Sequence, residues 1–263
     1  MPDTLRHERR RWTMRIFLDV GGHYGETLDV ALDPRWAFDR IYCFEPAESC
    51  RRILRGFRDT RLDIVPAGLS NRTGKTTLYG TGLLGASVYA DKRQLDSHVR
   101  SETIALVKAS DWLSRNTTPD DEIYLKLNCE GSECDVLEDL LDSGLSKRLK
   151  SVYVDFDVRK IPSQAHRQET VERRLRERNH HFVTPDTLSG ASGSRAVRKW
   201  LTTVSTPRNA GAPAAFRYRL GLHRPPYVWA ASVARAALPR SVYEQAARRV
   251  GAQARRRARA HGG

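Results

Sequence analysis

The stretch Arg15 to Thr27, R-I-F-L-D-V-G-G-H-Y-G-E-T, constrains the fold more than any other part of the chain. Ile16, Phe17, Leu18 and Val20 form the short apolar run of a strand buried on both faces, and Gly21, Gly22 and Gly25 follow at once. From Tyr24 to Leu32 the apolar residues recur at roughly helical spacing, with Pro34 just beyond, so the unit reads as strand, glycine loop, helix. Such a loop brings bare backbone close to a ligand at a helix N-terminus. A dinucleotide fold wants G-x-G-x-x-G, whereas these glycines read G-G-x-x-G, with Asp19 two residues ahead of the first. An acid at the strand end suits a ligand that carries an ammonium group and a sulfonium, as S-adenosylmethionine (SAM) does. A glycine turn that binds nothing would use the same residues.

A second buried-type strand, Arg40 to Glu45, ends in an acid followed by Pro46. Glu45 falls where a nucleotide fold places the carboxylate for the ribose hydroxyls. Ala47 to Phe57 reads as a helix and Leu62 to Leu69 as a third strand, whose Gly68 and Leu69 can pass close to a flat ring. Thr76 to Tyr79 is a short strand and Gly80 to Ser87 a glycine-rich loop. A further strand starts near Glu102, with Ser110 placed to cap the next helix. In Glu122 to Glu133, E-I-Y-L-K-L-N-C-E-G-S-E, an alternating strand delivers Asn128 and Glu130 before Gly131 turns into a helix that Gly144 stops. Ligands of open α/β sheets bind outside the carboxyl ends of the strands, so these residues should face the crevice of Asp19 and Glu45. Ser151 to Phe156 is a strand ending at Asp155 and Asp157, Gln168 to Arg178 a charged helix, and His180 to Thr184 and Lys199 to Val204 the last two strands.

Charge divides the chain. From Arg195 to Gly263 there are 15 basic residues against one acidic, Glu244, which accounts for the whole excess of +14; the remainder is balanced. This suggests a basic N-terminal arm (1–14), a domain (15–206) and an Arg/Ala-rich extension (207–263), helical or partly disordered. No signal peptide or membrane-spanning run is visible, and Cys43, Cys50, Cys129 and Cys134 lack metal-site spacing. They read as reduced thiols of a cytoplasmic protein.

Several of these motifs together resemble the FkbM family of methyltransferases: D-V-G-G-H-Y-G-E-T, F-E-P at Phe44 to Pro46, P-A-G-L-S-N at Pro66 to Asn71, and K-L-N-C-E-G-S-E at Lys126 to Glu133. The last resembles the family's K-I-D-x-E-G-x-E, with Asn128 in place of its Asp; Asp155 stands where a Glu is more usual. The alternation of strand and helix, with no clear helix between the last two strands, reads as a seven-stranded, mostly parallel sheet ending in a hairpin; the resemblance, over about Ile16 to Ser205, implies a class I Rossmann-like α/β fold with helices on both faces. It also implies SAM as cofactor and O-methylation of a hydroxyl on a sugar, glycan or natural product.

The cofactor site expected on these grounds comprises Asp19, Gly21, Gly22, Gly25, Glu45, Gly68, Leu69 and Asn128. Glu130 and Asp155 are the candidate bases, Asn128 can position an oxygen, and Asp157 and His166 stand behind them. A divalent ion among Glu130, Asp155 and Asp157 would want another acid where Asn128 stands, so no metal is expected. The basic extension leaves two other partners open. One is a nucleic acid substrate, although R-P-P-Y at Arg224 to Tyr227 lacks the leading Asn or Asp of base methyltransferases. The other is an anionic membrane surface, met peripherally at its inner face through basic amphipathic helices in Val228 to Leu238 and Val242 to Ala258, with Tyr227 and Trp229 at the interface. A non-catalytic binding protein on the same fold would also fit.

Overall fold

The computed structural model describes residues 13–81, 85–93, 100–207 and 211–225. The basic arm up to residue 12, part of the glycine-rich loop (82–84) and the segments expected to form tail helices, with Tyr227 and Trp229, lie outside the described residues. Along the chain the strands are β1 (Arg15–Val20), β2 (Arg40–Phe44), β3 (Leu62–Val65), β4 (Gly68–Ser70), β5 (Gly74–Tyr79), β6 (Ser101–Lys108), β7 (Glu122–Leu127), β8 (Leu149–Val154) and β9 (Phe182–Val183). The α-helices are α1 (Leu28–Ala31), α2 (Glu48–Leu54), α3 (Ala109–Asn116), α4 (Glu133–Asp142), α5 (Arg167–Glu177), α6 (Gly193–Val204) and α7 (Ala212–Arg219).

Every residue of β1 is buried, as its continuous apolar run requires of a central strand. Ile16, Leu18 and Val20 point to one face, where they pack with α3, α4 and α5; Phe17 points to the other, with α1, α2 and α6. The main sheet has the order β3-β2-β1-β7-β8-β9, and every pairing in it is parallel. Counted among its own strands this is 3-2-1-4-5-6, the doubly wound order, whose direction reverses between β1 and β7.

The expected seven strands and terminal hairpin are not found: among the described residues the sheet has six strands. Lys199–Val204 belongs to α6, which buries Ala196, Val197, Trp200 and Leu201 on one helical face. Trp200 packs near Phe17 and donates through Nε1 to Ser151 Oγ at 2.8 Å, so it covers the sheet instead of extending it. The expected third strand breaks at Pro66: β3 stays in the main sheet, while β4 joins β6 and β5 in a separate three-stranded sheet. Ser110 is not the cap of α3. Lys108 holds that position, and Asp139 of α4 accepts from the Ser110 N–H at 2.7 Å and its hydroxyl at 3.1 Å, so a neighbouring helix supplies the capping oxygen. The helix expected from Tyr24 is regular only over Leu28–Ala31, because His23 and Gly25 adopt positive φ and prolong the loop.

Candidate functional site

The crevice forms where β1 and β7 part. The Asn128 N–H donates to the Val20 carbonyl at 3.1 Å, and Gly21 passes so close that a Cβ there would lie 1.9 Å from the Asn128 main-chain carbonyl oxygen. With φ at 81°, Gly21 is a position where only glycine serves without strain. Beside this junction opens a cavity of about 270 Å³, near the lower limit of roughly 300 Å³ usual for small-molecule sites. Among the residues expected at the site, Gly21, Gly22, Glu45, Gly68, Leu69, Asn128 and Glu130 line this one cavity. Asp19, Gly25 and Asp155 are not among its lining residues.

Asp19 is fully buried behind the lining residues Thr27 and Lys126, to which it is bonded. It pairs with Lys126 Nζ at 2.8 Å and accepts from the Thr27 hydroxyl at 2.9 Å. Lys126 spends its other protons on the Val20 carbonyl at 3.1 Å and the Gly21 carbonyl at 2.7 Å. Its ammonium therefore has three acceptors for three protons, and Asp19 acts on the glycine loop through Lys126. Burial alone would lower the lysine's pKa, but Asp19 outweighs it and the net shift is upward. Gly25 packs against Phe57, where a Cβ would come within 2.5 Å of the ring.

Glu45 is buried, and its two carboxylate oxygens accept from the His23 and Ala47 N–H groups, each at 2.8 Å. Burial raises its pKa, with those two hydrogen bonds working in the opposite sense. Each oxygen keeps lone-pair capacity for a further donor, which a ribose diol would supply. The residues Leu69, Leu78, Ile104 and Leu106 give the cavity an apolar wall suited to a flat base. Asn128 Oδ1 and His23 Nε2 are buried with no hydrogen-bond partner among the described residues. Both belong to cavity-lining residues, and a buried polar atom left unpaired costs about 1–3 kcal/mol unless something bonds to it.

The loop after β7 holds Glu130 and Gly131 at φ of 59° and 118°. The fully buried Glu133 shapes it, accepting from the Cys129 N–H at 2.9 Å and the Gly131 N–H at 3.0 Å. Burial pushes the Glu133 pKa up to about 7. Glu130 is in close contact with the buried ammonium of Lys92, which also donates to the Gly85 carbonyl at 3.1 Å and lies 3.9 Å from Asp157. Lys160 pairs with Asp157 at 2.6 Å. Burial, and then the neighbouring Asp157, raise the Glu130 pKa against the pull of Lys92. Asp155, raised by burial and by Asp157, sits 3.8 Å from Arg159; His166 is exposed at the N-cap of α5. Among the described residues no group of three or more His, Cys, Asp or Glu could hold a metal ion.

Sequence reasoning missed Lys92, Lys126, Glu133 and His23 as parts of the site. Lys126 carries a visible signal, a charged residue within a strand buried on both faces; the pairing of Lys92 with Glu130 spans 38 positions and leaves none.

Fold and crevice together define a Rossmann-like α/β protein with a ligand cavity at the switch point of its sheet. No family model matches the chain, and no curated protein does. Among solved structures, methyltransferase FkbM from Methylobacillus flagellatus KT is similar at 17% identity and a TM-score of 0.34, over 51% of this chain and 30% of that one. A likeness of that depth decides neither fold nor activity, which rest on the geometry above. Among the described residues no helix is long and apolar enough to cross a membrane.

Proposed function

We propose that the protein is a SAM-dependent methyltransferase that methylates a hydroxyl of a sugar, glycan or other small molecule. The observation that carries this reading is a pair of acceptors in one cavity, Glu45 with spare lone pairs and Asn128 Oδ1 without a partner, with the Glu130 carboxylate also in the lining. SAM presents the matching donors, a ribose diol and an ammonium group, whereas a dinucleotide's pyrophosphate would be repelled by carboxylates on both sides. Glu45 would hold the diol, Asn128 the amino-acid end, and the Gly21–Gly22 backbone the region between them. When bound, SAM supplies an electrophilic methyl on a positively charged sulfur.

The chain's own task is then to hold a hydroxyl in line and accept its proton. Glu130 is the base: its carboxylate borders the cavity, and the upward shift of its pKa makes it a stronger proton acceptor than an ordinary glutamate. Lys92 stabilises the charged form of Glu130 and helps close that side against water. The four motifs that resemble FkbM methyltransferases support the same reading. Incubation of the full chain with methyl-labelled SAM and a panel of sugars, glycans and RNA tests it. Labelled ether products on a sugar or glycan are the expected result; label confined to RNA would favour the nucleic-acid alternative, and tight binding of NAD instead of SAM would contradict the reading.

A further inference from the structure

The three exposed large hydrophobic residues among those described are Phe216, Leu220 and Leu222, at 62%, 47% and 52% exposure, and all belong to α7 or the turn that ends it. Their clustering is built, not accidental. At about 100° per residue, Phe216 and Leu220 lie within about 40° of each other and nearly opposite Tyr218. Tyr218 faces the body of the protein: its hydroxyl donates to the Asp29 carbonyl at 3.0 Å and its ring stacks on His223. Phe216 and Leu220 therefore face outward. The helix closes in a Schellman motif, with Gly221 N–H on the Tyr218 carbonyl at 2.9 Å and Leu222 N–H on the Arg217 carbonyl at 3.1 Å, which reverses the chain and returns Leu222 to the same end. His223 and Arg224 then clamp the Asp29 carboxylate at 2.8 and 2.6 Å, and the His223 carbonyl accepts from the Arg58 N–H at 2.8 Å. A ring of specific bonds thus fixes an apolar patch outward.

Arg217 and Arg219 flank the patch, both exposed, and from Arg195 to the chain end Glu244 is the single acid among 15 basic residues. An apolar strip flanked by arginines, on a segment (211–225) whose own residues include no carboxylate, matches the interface of a negatively charged bilayer, where apolar side chains enter below head groups that the cations meet. A second copy is a poorer match, since a two-fold pairing of this face would bring four arginines together. RNA would meet the arginines but gain nothing from Leu220 and Leu222. We propose that the outer face of α7 with Leu222 docks on an anionic lipid surface. This inference is independent of whether the crevice transfers methyl groups.

The test is flotation of the full chain with vesicles of phosphatidylglycerol and phosphatidylcholine, against phosphatidylcholine alone. Wild type should float with the anionic vesicles, and F216S/L220S/L222S should reduce partitioning about tenfold or more. The contrast is read again at about 0.5 M salt, where attraction by the basic tail is screened and apolar insertion is not. Circular dichroism checks that α7 persists; if serine disturbs it, the triple alanine variant, which removes the same bulk, is read instead. Undiminished flotation of the variant, no flotation of wild type, or loss of self-association alone in sedimentation overturns the proposal. So does a salt-dependent RNA shift without vesicle binding.

Discussion

The β1–β2 wall of the crevice and the β7–β8 wall both carry carboxylates, but they hold them differently. On the first, Glu45 is fixed by two main-chain N–H groups and Asp19 by a fully buried lysine and a threonine hydroxyl. On the second, Glu130 and Asp157 are held by the side chains of Lys92 and Lys160, and Lys92 arrives on a loop. Bonds to the backbone and buried pairs preset a geometry at low entropic cost, which suits an invariant ligand such as a cofactor. A carboxylate that is a quarter exposed, as the Glu130 side chain is, and held by a side chain alone can exchange its contacts, which suits a variable acceptor and a group that must gain and lose a proton.

The sharpest way to break this contrast is to unpair the rigid wall. Lys126→Met leaves Asp19 buried without its cation, and urea unfolding should show a loss of about 3–5 kcal/mol. Adding Asp19→Leu should restore much of it, because an apolar pair has no charge to strand. A loss below about 1 kcal/mol would place Lys126 among the exchangeable contacts.

On the opposite wall, Glu130→Gln should lower turnover about 100-fold or more while SAM affinity falls much less. The raised pKa of Glu130 places the acid limb of the wild-type rate profile above the usual glutamate value, and Lys92→Met should move that limb to still higher pH by removing the cation that favours the carboxylate. A limb that stays in place in Lys92→Met would assign the titration to another group.

What could be read from the sequence follows the same division. The ends of β1, β2 and β7 were legible because an apolar or alternating run stops at glycine, at an acid before proline, or at Asn128 ahead of Gly131, a local signal. Glu45, Asn128, Gly21 and Gly22 share one cavity, as their placement at strand ends implied, whereas Gly25 does not line it. Asp19 does not reach the cavity, because it is taken up by Lys126 on a strand more than a hundred positions away, a pairing that no local pattern shows. The second sheet was hidden for a like reason: Gly68 pairs with Leu106 and Lys75 with Ala105, and neither pairing leaves a local trace. Lys199–Val204 looked like a strand because a six-residue window shows its β-branched residues, whereas the helical repeat through Ala196, Val197, Trp200 and Leu201 needs the whole of Gly193–Val204 to appear.

A smaller effect sharpens the comparison at the periphery. Burial disfavours the Asp29 carboxylate, but His223 and Arg224 bond to it and the net pKa lies below the ordinary value. A depressed carboxylate adds stability above its unfolded pKa and loses it as pH falls through the folded one. Asp29→Asn should therefore cost about 1.5 kcal/mol at neutral pH, and the difference from wild type should shrink on acidification below about 4. A difference independent of pH would locate the stabilising contact elsewhere.

The central claim is that a carboxylate held ready at the end of β2 receives the ribose of a sulfonium nucleoside. Calorimetric titration of SAM into wild type and Glu45→Ala tests it most directly, with the thermal midpoint of each protein measured in parallel. One-to-one binding to wild type, weakened at least about 30-fold in a variant that remains folded, is the result the account predicts. Equal affinity in both proteins, or no binding to wild type, would contradict it.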